Sequence, residues 1–82
     1  MKEVHEADIA CRLELIFTEL MPEETVPVGQ RARGTCASWD SLFQLNLVMA
    51  IEQEFGIILT VDDAIELSSF ASAMQMLRDK YQ

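Results

Sequence analysis

At 82 residues the chain suits a single small domain, and with half of its residues hydrophobic it can bury a modest core but not a large enclosed cleft. Its 14 acids against 6 bases give a formal charge of -8, which favours basic partner surfaces. The same balance argues against nucleic acid, because no basic patch is present to displace counterions from phosphates. Cys11 and Cys36 lie far apart and outside any CxxC spacing, and His5 is the only histidine, in an N-terminus expected to fray. Metal binding is therefore poorly supported, and two reduced thiols are expected. Lys2, Glu3, Glu6 and Asp8 interrupt the N-terminus and no apolar run reaches membrane-spanning length. The expectation is a cytoplasmic protein with no signal peptide and no membrane span.

The first helix is predicted over residues 7–21. Ile9, Leu13, Ile16, Phe17 and Leu20 recur at spacings of three and four and form one apolar stripe. Pro22 stops the helix, since proline disfavours helical geometry in the residue before it. Residues 22–39 read as a long connection punctuated by Pro22, Pro27, Gly29 and Gly34. Connections of this length are usually functional. Val26 and Val28 are expected to pin it to the core, with residues 29–34 mobile. Arg31 and Arg33 are read as solvating the loop, with partner contact the alternative.

A second helix is predicted over residues 40–55. Asp40 is a good N-cap and Gly56 a good C-terminal stop. Leu47, Val48, Ile51 and Phe55 make its best core stripe, yet Leu42, Phe43, Leu45, Met49 and Ala50 cover much of the remaining circumference. So apolar a helix in so small a domain is either enclosed or presents a patch that binds something. Thr60 with Asp63 resembles a capping box that opens a short helix over residues 61–66. Ser69 is placed to cap a last helix over residues 70–80, with Phe70, Ala73, Met74 and Leu77 as its stripe and Arg78 and Lys80 near its C-terminus. The whole chain, residues 1–82, is read as one all-α domain: three longer helices, one short helix and a long first loop.

Residues 39–55, Trp-Asp-Ser-Leu-Phe-Gln-Leu-Asn-Leu-Val-Met-Ala-Ile-Glu-Gln-Glu-Phe, resemble the acyl carrier protein family. The match weakens towards Leu77, and the first helix agrees in pattern only. Asp-Ser-Leu alone is a weak signal; its position at a helix start, followed by this apolar run, is far more specific. The resemblance implies an acyl-carrier-like four-helix bundle that is a carrier and not an enzyme. It also implies that Ser41 carries 4'-phosphopantetheine, supplied by coenzyme A and attached by a phosphopantetheinyl transferase, with acyl groups held as thioesters on the arm's thiol. Asp40 would help present the serine to the transferase. An anionic phosphate near a helix N-terminus is physically favourable, and a serine modified by a separate enzyme needs no local base. By the same resemblance Leu42, Phe43, Met49 and Glu52 would face partner enzymes with basic docking surfaces. Leu45, Leu47, Ile51 and Phe55 would fill the core and line an acyl pocket. A monomer is expected.

Departures from the family pattern narrow the reading. Ser38 stands where the family commonly has glycine. Phe43, Asn46 and Gln53 stand where fatty-acid carriers often have acids. Losing acids mainly alters partner choice and association rate, so a specialised pathway is expected, of secondary-metabolite, polyketide-like or surface-polymer type. The alternatives are an aminoacyl, peptidyl or D-alanyl carrier, or a helical interaction module whose serine is never modified.

Overall fold

Residues 6–80 are described by the computed structural model, and His5 lies outside them. Among the described residues the chain forms α1 (Glu6–Leu20), α2 (Ser41–Phe55), α3 (Val61–Glu66) and α4 (Phe70–Lys80), with a 3-10 turn at Val28–Gln30 in the first connection. The result is a small all-α bundle in which α1 packs against α2 and α4, and α3 packs against α4.

Periodicity explains the core. Ile9, Leu13, Ile16 and Phe17 of α1 are buried against Phe43, Leu47, Ile51 and Phe55 of α2 and Phe70, Ala73, Met74 and Leu77 of α4. Phe17 is fully buried, and its ring meets Trp39, Phe43 and Phe70 edge-on at centroid distances of 5.6, 5.9 and 5.2 Å. Such pairs contribute about 0.5–1.5 kcal/mol each beyond their buried area.

The helix ends follow their sequence signals. Gly56 takes a left-handed conformation (φ 65°) and its N–H donates to the Glu52 carbonyl at 2.9 Å, a geometry that strains any residue with a Cβ. At α3, Thr60 Oγ1 accepts from the Asp63 N–H at 3.1 Å, and Asp63 Oδ2 accepts from the Thr60 N–H at 3.0 Å. Ser69 Oγ accepts from the Ser72 N–H at the start of α4, while Ser72 Oγ accepts from the N–H groups of Ser68 and Ser69.

The first connection departs from expectation. Val26 and Val28 do pack against the core, and Arg33 stays exposed, but Arg31 is not a solvating group. Arg31 is buried, 6 % exposed, and its guanidinium donates to the carbonyls of Val26 (2.7 Å), Glu24 (3.3 Å) and Phe17 (3.4 Å). A charge withdrawn from water this far must satisfy its donors, and here two loop carbonyls and that of Phe17 in α1 do so. Residues 29–34, expected to be mobile, are tied down instead. The Phe70 N–H donates to the Arg31 carbonyl and the Arg33 N–H to the Ser68 carbonyl, forming an isolated antiparallel bridge between Ala32 and Ser69.

Arg31→Leu should cost about 2–3 kcal/mol, because it leaves loop carbonyls without their charged donor. Arg31→Lys should recover only part, since an ammonium cannot reproduce the planar fork. Urea unfolding midpoints check both. Acidification supplies a second test. The Asp63 carboxyl is held below its ordinary value of 3.8, chiefly by the Thr60 N–H and also by Lys80, whose Nζ lies 3.2 Å away. A lowered pKa in the folded state gives stability that is present above the ordinary value and lost as pH falls through the lowered one. Asp63→Asn should therefore flatten that part of the acid unfolding curve, followed by circular dichroism.

Candidate functional site

Trp39 fixes where α2 begins. It is buried, stacks edge-on to Phe43 at 4.8 Å, and its indole N–H donates to Gln44 Oε1 at 2.7 Å. The loop is thus clamped to the first turn of α2 by an apolar contact and a hydrogen bond together. Asp40 follows in an extended conformation as N-cap, its Oδ1 accepting from the Phe43 N–H at 2.9 Å and its carbonyl from the Gln44 N–H at 2.9 Å. Ser41 is then the first residue of α2 and is exposed. Its hydroxyl sits beside the positive end of a 15-residue helix, where an anion is favoured.

Ser41 also lies at one end of an open groove of about 680 Å³ between α2 and α3. The end next to Ser41 is polar, formed by Asp40, Gln44 and Arg33 beside Trp39. The walls are apolar: Leu45 and Val48 from α2 face Val61, Ala64 and Ile65 from α3. The volume lies within the range of sites that bury small organic ligands. Polar contacts hold the α3 wall in place, and none of its residues is buried. Gln44 Nε2 donates to the Ala64 carbonyl at 2.8 Å. Arg33 Nη2 donates to the Leu67 carbonyl at 3.0 Å, with Ile65 O and Gln44 Oε1 at 3.4 Å. Among the described residues no group of three or more His, Cys, Asp or Glu side chains converges as a metal site.

The residues singled out from the sequence divide sharply. Leu42 and Met49 are exposed, 65 % and 57 %, as a partner-facing role requires. Phe43 is not: at 5 % exposure it belongs to the aromatic cluster, because Phe17 and Trp39 enclose the face on which it falls. Glu52 is half-buried and its Oε2 accepts from the Leu59 N–H at 2.9 Å, so it ties the α2–α3 connection to α2. Leu47, Ile51 and Phe55 fill the core but do not line the groove. Leu45 does the reverse: it is 57 % exposed and forms a groove wall.

Gln44, Val48, Arg33 and the α3 wall had no assigned role in the groove. Gln44 and Val48 were recoverable, since they follow Ser41 at three and seven positions and share its face of the helix. Arg33 and Ile65 carry no such signal, because loop and α3 converge on the site only through tertiary packing.

No protein-family model matches the chain. The resemblance to acyl carriers therefore rests on residues 39–55 and on the position of Ser41 at the start of α2.

Removing the cap tests this geometry directly. Asp40→Ala should lower stability by about 1 kcal/mol, and Asp40→Asn should retain most of it, because asparagine also accepts from the exposed N–H. Thermal unfolding of the two variants side by side distinguishes them.

Proposed function

We propose that this protein is an acyl carrier: Ser41 bears a 4'-phosphopantetheine arm through a phosphodiester, and acyl groups ride on the arm's terminal thiol as thioesters. The observation that carries the reading is an exposed serine at the first position of α2, opening onto an apolar groove. The surroundings suit each part of the modified group. The N-terminus of α2 favours the phosphate. Asp40 holds the first turn in shape for a transferase, and the apolar walls would shelter an acyl chain from water.

The carrier performs no chemistry of its own. Tethering raises the effective concentration of the acyl group at each partner's site, so successive enzymes act on a cargo that never diffuses away. The exposed Leu42 and Met49 would make apolar contact with those partners. The chain's net negative charge favours basic docking surfaces. Phe43, Asn46 and Gln53 leave α2 with acids only at Glu52 and Glu54, and Glu52 is engaged with the Leu59 N–H. That sparse acidity supports a partner set distinct from the one serving bulk fatty-acid synthesis, in a secondary-metabolite, polyketide-like or surface-polymer pathway. The apolar walls favour an acyl over an aminoacyl cargo.

Incubation with coenzyme A and a broad-specificity phosphopantetheinyl transferase should add one phosphopantetheinyl group, read by intact mass, and Ser41→Ala should abolish the gain. A folded sample that stays unmodified with every transferase tried would turn the reading to a helical interaction module.

A further inference from the structure

Arg33 has two properties that its tie to α3 does not require. It carries a full positive charge at the polar end of the groove, where Ser41 and Asp40 also lie. It also leaves part of its guanidinium unused. Its bonds to the Leu67 carbonyl (3.0 Å), the Ile65 carbonyl (3.4 Å) and Gln44 Oε1 (3.4 Å) all run through Nη2. Among the described residues, Nε and Nη1 have no hydrogen-bond partner and no carboxylate pairs with the charge. Holding α3 needs a donor but no charge, since Gln44 does the same at the Ala64 carbonyl with a neutral amide. The other described bases are engaged away from the groove. Arg12 pairs with Asp8 and Glu54, Lys80 with Asp63, Arg31 is buried against backbone carbonyls, and Arg78 donates to Gln75 on α4.

We infer that Arg33 holds the phosphate of a group carried on Ser41, through the donors on Nε and Nη1 that its ties to α3 leave open. A phosphate on Ser41 brings new negative charge next to Asp40, in a chain whose formal charge is already -8. Like charges this close repel, and a guanidinium at the same end of the groove offsets the repulsion. Hydrogen bonds between a guanidinium and a phosphate are charge-assisted at both ends, so they are stronger than the bonds Arg33 makes to neutral carbonyls. Because Nη2 stays on Leu67 and Ile65, the phosphate gains its partner without releasing α3. The inference rests on the carrier reading for the identity of the group, a phosphodiester, but the pairing can be measured on any phosphate at this serine.

The test uses the whole chain in two arms, read by phosphorus NMR. In the first, phosphoserine is incorporated in place of Ser41 by nonsense suppression, and the second ionisation of its phosphate, ordinarily near pH ~6, is titrated. A facing cation favours the doubly charged form, so this ionisation should fall about half a unit lower in the parent than in Arg33→Gln. Asp40, the other charged group lining that end, is present in both. Arg33→Lys should keep part of the shift, since it keeps the charge and loses the guanidinium's geometry. Salt at about 1 M should shrink the shift, because Arg33 is exposed. A correlation between the Arg33 guanidinium protons and phosphorus reports the contact itself, which a residue that only ties α3 would not produce. Equal titration in parent and folded Arg33→Gln would overturn the inference, as would the absence of that correlation. Should Arg33→Gln not fold, the correlation in the parent decides.

In the second arm, a broad-specificity transferase attaches phosphopantetheine to Ser41 from coenzyme A, and the same correlation is sought to the phosphodiester. It should appear. Loading without it would overturn the inference and leave the carrier reading intact. A chain that no transferase modifies, yet whose phosphoserine form shows the Arg33-dependent shift and contact, would keep the phosphate site and sink the carrier reading. Neither loading nor an Arg33-dependent shift would overturn both.

Discussion

The burial of Phe17 against three aromatic rings is the contact on which the rest of this small bundle depends. Phe17 comes from α1, Phe43 from α2 and Phe70 from α4, while Trp39 closes the long connection. One side chain thus joins three helices and the end of the loop. Because Trp39 and Phe43 flank Asp40 and Ser41 in sequence, the same cluster sets where α2 starts and which way its first residue points. The exposed serine is held by a buried scaffold immediately beside it, and Trp39 adds a polar anchor by donating to Gln44.

A second layer of organisation is polar. The short helix α3 buries none of its residues, so apolar packing alone does not hold it. Side chains from outside α3 supply the difference. Arg33 and Gln44 donate to carbonyls at its C-terminal end, and Glu52 accepts an N–H just before it. The last carbonyls of any helix lack partners within it, which makes them ready acceptors for such ties. The groove lies between the apolar faces of α2 and α3 that these ties connect. A helix fixed by a few hydrogen bonds opens more easily than one built into the core.

Arg31 and Arg33 illustrate how charge serves architecture in a strongly acidic chain. Both sit in the connection between α1 and α2, and both turn their guanidinium groups towards backbone carbonyls. Arg31 organises the loop from within, and Arg33 reaches across to α3. The Glu24 carboxyl, held below its ordinary value by the Val26 N–H and the Ser38 hydroxyl, fastens the loop on its other side. A connection that is long and wet in composition is in consequence bonded along much of its course, and it delivers Trp39 and Asp40 to the start of α2 in one arrangement.

The amino-acid sequence by itself determined the helices and their ends, because periodicity and capping are local. Ile9, Leu13, Ile16 and Phe17 at helical spacing, Asp40 before α2, Gly56 after it, and Thr60 with Asp63 act within a turn or two of the chain. It also placed Ser41 at the first turn of α2. Only the tertiary structure decided which apolar positions of α2 are core, which are groove and which are surface. Phe43 and Leu45 are equally apolar and two positions apart, yet one is buried among aromatic rings and the other forms an open wall. The fate of Arg31 and the role of Gln44 were likewise decided by partners distant in the chain, Phe17 for one and Ala64 for the other. Burial depends on what packs opposite a residue, and where α2 is apolar on nearly every face, its own sequence carries no record of which face meets a neighbour.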